Sequence, residues 1–147
     1  MELEKQISFP IQEIQQFIPQ SFPFVMVDEI VSFSESTLES TMTPVEDNIF
    51  VKQGVFTEPG LIENMAQTIA LHTGFDCFLN NKPTPLGFIG SIKKIEIKSL
   101  PKSNQTITTK AEILQEFAGV SLVQVSSFDT SGELIATGQM KTVIVDD

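Results

Sequence analysis

Glu58-Pro59-Gly60-Leu61-Ile62-Glu63-Asn64-Met65-Ala66-Gln67-Thr68-Ile69-Ala70-Leu71 is the stretch on which the fold turns. It begins with an acidic residue and a proline, which suit a helix's first turn, where N–H groups are unpaired and the dipole is positive. Apolar side chains then cover most of its circumference, so a helix over residues 58–78 is expected inside the fold and not on its surface. Gly74 is expected either to end this helix or to interrupt it.

On both sides of it the sequence reads as sheet. Residues 24–33 are rich in strand formers, and residues 38–42 alternate beyond a Ser34-Glu35-Ser36 turn, so the two predict a hairpin. After the helix, strands are expected over 86–97, 105–117, 120–128 and 133–145. Turn signals at Ser99-Leu100-Pro101-Lys102, Ala118-Gly119 and Asp129-Thr130-Ser131-Gly132 separate them, and the last three predict an antiparallel meander. Pro10 opens an amphipathic segment, residues 11–18, expected as a helix of one to two turns stopped by Pro19. Residues 44–60 have loop composition with anchoring apolar side chains. Hairpin, buried helix and four strands make an α+β order in which a curved antiparallel sheet encloses one long helix. The chain reads as one domain, residues 1–147, without repeats.

Nine basic and nineteen acidic side chains give a net charge of −10, which disfavours phosphate backbones and anionic lipid, so no nucleic-acid or membrane partner is expected. Met1-Glu2-Leu3-Glu4-Lys5 lacks the basic start and apolar run of a secretory signal, and no segment approaches the ~20 apolar residues that cross a bilayer. A cytoplasmic chain is the expectation. Cys77 is the single cysteine, so no intrachain disulfide forms and a cysteine-rich metal site is excluded. With no phosphate-binding loop or redox signature either, neither a cofactor nor a metal is expected.

At about 100° per residue, Glu63 and Gln67 share one helix face, a turn apart. Their neighbours Leu61, Ile62, Met65, Ala66 and Ile69 are apolar, an environment that favours the protonated form of a carboxyl group. His72, the only histidine, comes nine residues later, on the opposite face and roughly 13 Å along the axis. It is expected to pack and could approach Glu63 only from another chain of a symmetric dimer. The Glu58-Pro59-Gly60 start aims N–H groups at what precedes the helix, where they would stabilise negative charge on a carbonyl oxygen. Gly60 would admit a ligand closely, although the same residues also suit an ordinary helix start.

Leu61-Ile62-Glu63-Asn64-Met65-Ala66-Gln67 resembles the helix motif of the hotdog-fold 3-hydroxyacyl-(acyl-carrier-protein) dehydratases, a catalytic acid followed by Met-Ala-Gln. Ile18-Pro19-Gln20-Ser21-Phe22-Pro23-Phe24-Val25-Met26-Val27-Asp28 is similar to that family's opening motif. The shortened loop, the Met-Ala-Gln helix and Pro85-Leu86-Gly87-Phe88-Ile89-Gly90 are most similar to the dehydratase-like branch associated with aryl polyene and flexirubin pigment synthesis. The resemblance covers nearly the whole chain.

It implies a hotdog fold, at least a dimer, and syn elimination of water from a 3-hydroxyacyl thioester. In that chemistry a histidine removes the C2 proton, the helix acid protonates the leaving hydroxyl, and backbone N–H groups polarise the thioester carbonyl. Glu63 matches the acid. The family's Gly-His-Phe-Pro-like segment has its nearest counterpart in Gln53-Gly54-Val55-Phe56-Thr57, where Val55 has no titratable group. Gln20 replaces the opening motif's histidine, and Phe22 stands where relatives often have a tyrosine near the tunnel mouth. Gln53 or Gln20 could orient water or substrate but cannot act as an ordinary general base. The resemblance thus points to Glu63 as catalytic and to Gln67, Gly60, Phe22, Gln20, Gln53 and Val55 as substrate-binding.

Three functions follow: a dehydratase-like protein with Glu63 as acid, a non-catalytic acyl-binding or heterodimer partner subunit, and a hotdog acyl thioesterase whose helix carboxylate activates water. The implied partners are acyl carrier protein or an acyl-CoA thioester, and a second chain in a homodimer, heterodimer or higher oligomer. Lys93, Lys94, Lys98 and Lys102 form a basic stretch that would dock an acidic carrier or simply guard a strand edge.

Overall fold

The computed structural model describes residues 7–145; the Met1-to-Lys5 stretch lies outside them. Its elements in chain order are a 3-10 turn at Gln15–Phe17, β1 (Glu29–Phe33), β2 (Thr37–Met42), β3 (Val51–Lys52), β4 (Val55–Phe56), α1 (Glu58–Leu79), β5 (Leu86–Ile97), β6 (Ile107–Phe117), β7 (Val120–Phe128) and β8 (Leu134–Val145). Six strands form one antiparallel sheet in the order β1-β2-β6-β7-β8-β5, and β3 pairs with β4 apart from it. The long helix against this sheet is the hotdog architecture the resemblance implied.

Burial alternates along β2 and β7, so one face of each meets the helix. The apolar interior divides in two. Leu61, Met65 and Ile69 of α1 pack with Ile107, Val123, Val125 and Met140 of the sheet, whereas Leu71, Phe75 and Leu79 pack with Ile14, Phe17 and Ile30. The predicted meander is present. Its β6–β7 turn, Ala118-Gly119, has φ of 53° and 79°, the double positive that lets a two-residue turn follow the strands' twist. At the β7–β8 turn, Asp129 Oδ1 accepts the Ser131 and Glu133 N–H groups at 2.9 and 3.0 Å. The Ser131 hydroxyl, donating to the same oxygen at 2.7 Å, and then these N–H groups hold the Asp129 carboxyl below the usual carboxylate range.

Four expectations are corrected. The helix predicted over residues 11–18 contracts to one 3-10 turn, because Ile11 instead exchanges backbone hydrogen bonds with Ile30 of β1 at 2.8 and 3.0 Å. The first strand begins at Glu29 and not near residue 24. Its missing stretch is paired with helix side chains: Gln67 takes the Met26 N–H and the Phe24 carbonyl, and Asn64 takes the Met26 carbonyl. The loop over 44–60 contains the β3–β4 hairpin, turned by Gln53 and Gly54 at φ 52° and 76°. Finally, Gly74 neither ends nor interrupts α1, which runs on to Leu79; its bare α-carbon is where the backbone of Phe17 crosses the helix.

Candidate functional site

Glu63 and Gln67 stand together as their spacing predicts. Gln67 Nε2 donates to Glu63 Oε2 at 2.9 Å and to the Phe24 carbonyl at 2.8 Å, while Gln67 Oε1 accepts the Met26 N–H at 2.7 Å. Because a backbone N–H can only donate and a carbonyl only accept, these partners set the orientation of the amide. Gln67 is buried and its polar atoms are engaged by the protein, so its evident work is to aim Glu63 and secure residues 24–26. Glu63 itself is half-buried, and the apolar enclosure expected around its carboxylate is incomplete in the single chain.

Leucine at position 67 would match the shape of glutamine while leaving the Met26 N–H and Phe24 carbonyl without partners. An unpaired buried amide costs about 1–3 kcal/mol, so Gln67→Leu is expected to destabilise by about 2 kcal/mol. Urea unfolding checks this as a lower midpoint at unchanged slope.

Of the other residues singled out, Val55, Gln53 and Gly60 lie in the hairpin and first turn that start α1, and Gln20 and Phe22 lie in the segment before β1. Val55 is half-buried in β4, pairs with Lys52 and bridges Lys102, and leads directly into α1. Gln53 is exposed at the tip of the hairpin turn. Gly60 is buried, and the space a Cβ would take is already filled: it would stand 2.5 Å from the Phe56 ring and 2.6 Å from Phe50 Cβ. Close packing of these two phenylalanines therefore accounts for the glycine here. Thr57 precedes α1 but spends its hydroxyl on the Phe50 carbonyl at 2.6 Å, so no side chain caps the first turn. Phe22 is 90% exposed. Gln20 is half-buried, and its Oε1 is an enclosed acceptor without a hydrogen-bond partner among the described residues.

His72 is buried, stacks on Phe33 at 5.0 Å, and places Nε2 3.0 Å from the Ser34 carbonyl. A carbonyl only accepts, so this nitrogen carries the proton. The histidine thus ties α1 to the β1–β2 turn and is no partner of Glu63 in its own chain. Cys77 is half-buried, and burial followed by the charge of Asp76 pushes its thiol pKa up, away from the reactive thiolate. Among the described residues, no group of three or more His, Cys, Asp or Glu is placed to hold a metal ion, and no helix is long and apolar enough to cross a membrane.

Sequence reasoning passed over Asn64. It is buried completely and holds the Met26 carbonyl at 2.7 Å. The signal was available: asparagine is a poor interior helix residue, and among apolar neighbours its amide must be satisfied by something.

Comparison with known proteins places the fold and the family. The FabZ 3-hydroxyacyl-(acyl-carrier-protein) dehydratase of Ruminiclostridium cellulolyticum is 26% identical over 136 residues, covering 88% of this chain and 93% of that one. FabZ of Vibrio atlanticus is 28% identical over 127 residues, covering 80% and 81%. Among solved structures, the dehydratase heterocomplex ApeI:P from Xenorhabdus doucetiae is similar in fold, with a TM-score of 0.85, 16% identity and coverage of 96% and 94%. Residues 12–147 match the ApeP-like family, described as ApeP dehydratase. With that match across nearly its whole length, and with one long helix against the sheet of a hotdog fold, the chain belongs to the ApeP-like dehydratase family.

Proposed function

We propose that this chain, as one hotdog domain over residues 1–147, supplies the acid for removing water from a 3-hydroxyacyl thioester on acyl carrier protein. The observation that carries this reading is the Glu63 carboxylate, oriented by Gln67 on a half-buried stretch of helix in a member of a dehydratase family. A base takes the C2 proton, the C2–C3 double bond forms, and the C3–O bond breaks as Glu63 gives its proton to the departing oxygen. The base comes from elsewhere: the chain's one histidine is committed to Ser34, and Val55 has no titratable group.

A second chain that brings a base and encloses Glu63 completes the site. Two features support such a partner. β5 is an edge strand that exposes Leu86 (58%) and Phe88 (54%), and Ile62, Glu63, Ala66 and Ala70 leave one stripe of α1 half-covered. The similar ApeI:P structure is itself a heterocomplex. Phe88→Asp would place a charge on this edge and is expected to weaken association at least about tenfold, read by sedimentation against the wild-type chain. A wild-type chain that stays monomeric, alone and with a co-expressed dehydratase, would remove the interface from the reading. Lys102, exposed and bridged to Val55 at the helix start, supports an acidic carrier approaching from this end.

Mass spectrometry of 3-hydroxyacyl-carrier protein tests the whole, with the chain alone and with its co-purified partner. Loss of water supports dehydration, and release of free acid would replace it with thioester hydrolysis. Val55 at the base position favours one other reading, a subunit that supports a catalytic partner; that reading expects turnover by the complex to be independent of Glu63.

A further inference from the structure

Five hydrogen bonds outside the helix and strand ladders run from the middle of the sheet to Glu63. Ser127 Oγ meets Thr109 Oγ1 at 2.8 Å, and Thr109 Oγ1 donates to Asn64 Oδ1 at 2.6 Å. Asn64 Nδ2 donates to the Met26 carbonyl at 2.7 Å, the Met26 N–H donates to Gln67 Oε1 at 2.7 Å, and Gln67 Nε2 donates to Glu63 Oε2 at 2.9 Å. Asn64, Thr109 and Ser127 are fully buried.

The chain has one direction, and the backbone imposes it. The Met26 carbonyl can only accept, so Asn64 turns its NH2 there and its oxygen to Thr109. Thr109 must then donate, which leaves its lone pairs for the hydroxyl of Ser127. On the other side the Met26 N–H can only donate, so Gln67 turns its oxygen there and its NH2 towards Glu63. Asn64 and Gln67 therefore grip the same residue from both sides. The two groups of Met26 belong to different peptide units joined through its α-carbon, so what passes through this residue is position and not polarisation.

We propose that Asn64 and Thr109 are positioning residues for Glu63. By pinning the Met26 carbonyl they hold residues 24–26, and with them the Gln67 amide, so that Glu63 Oε2 stays occupied as an acceptor and Oε1 is the oxygen left free to take and give a proton. A carboxylic acid whose one oxygen receives an N–H places its own hydrogen on the other oxygen, since the alternative sets two donors against each other. Proton transfer is thereby confined to a single place, the oxygen that Gln67 does not hold, which shortens the search for a reactive geometry. This proposal rests on the reading of Glu63 as the acid.

The test uses the full chain, with its partner where one co-purifies, and three variants. Thr109→Val keeps the volume but removes the donor to Asn64, Thr109→Ser keeps that donor, and Ile107→Val trims the same strand outside the hydrogen-bond chain. Thr109→Val is expected to lower kcat about tenfold at nearly constant KM. It should also speed exchange of the Met26 amide hydrogen and shift the Gln67 side-chain NH2 resonance. Thr109→Ser should restore all three, and Ile107→Val should alter none despite its own loss of melting temperature. If Thr109→Val behaves as Ile107→Val does, the proposal is overturned. If the wild type shows no Glu63-dependent water loss, the acid reading fails by itself. The Met26 and Gln67 signals then decide the positioning, and their constancy in Thr109→Val would sink it.

Discussion

Glu63→Gln is expected to cut water loss from 3-hydroxyacyl-carrier protein by about a hundredfold to ten-thousandfold, the usual worth of a general acid. Glutamine has the same shape and still offers an oxygen to the Gln67 NH2, so the hydrogen bond seen at 2.9 Å has a successor and the helix loses no buried partner. What disappears is the transferable proton. The loss should therefore fall on kcat, with KM nearly unchanged, because a group that acts only as the C3–O bond breaks contributes little to ground-state binding. The melting temperature should stay within about 2 °C, since a half-buried isosteric change away from a cap or core contact costs little. Mass spectrometry follows both water loss and free acid. An undiminished rate of water loss in the variant would remove Glu63 from the chemistry, and free acid lost in the variant would turn the reaction into thioester hydrolysis.

The largest effect on stability is expected at Gly74. In an unconstrained helix, alanine is better than glycine by about 1 kcal/mol, so helix propensity alone predicts that Gly74→Ala stabilises. The packing predicts the opposite sign. A Cβ at position 74 would stand 2.1 Å from the Phe17 carbonyl oxygen and 2.9 Å from its carbon, and these are backbone atoms that no rotamer change can move. Relief requires lifting the 3-10 turn at Gln15–Phe17 from the helix. That would disturb the contacts of the Phe17 ring with Phe75 and Phe78, at centroid distances of 5.3 and 5.4 Å. Overpacking of this kind costs about 3 kcal/mol, or roughly 6–12 °C in melting temperature for a domain of this size. Calorimetry reads the sign directly, and an increase in melting temperature would show that Phe17 does not lie on the helix as described.

These two positions were not equally legible. Glu63 stood out because a carboxylate on an apolar helix is conspicuous, and its relation to Gln67 needed only the helical period. Gly74 looked like a helix terminator or a flaw, since nothing local reveals that residue 17 passes over it. Gly60 was ambiguous for the same reason: a close approach was implied, but only the fold shows that Phe50 and Phe56 make it. Residues 24–26 misled in the other direction. Their composition is that of a strand, yet side chains some forty residues away, Asn64 and Gln67, take the backbone hydrogen bonds that a neighbouring strand would have taken. Strand propensity records an extended, half-buried backbone and is silent on its partner.

The sequence by itself determined the α+β order, the buried helix, the meander and the pairing of Glu63 with Gln67. Each of these rests on periodicity or turn chemistry that acts over a few neighbouring residues. The tertiary structure alone decided the packing that fills the face of Gly60 and the binding of His72 to Ser34. It alone shows the polar chain from Ser127 through Asn64 to Glu63. Those features depend on which distant segments meet, and a single buried hydrogen bond or a missing methyl group has no periodic trace along the chain.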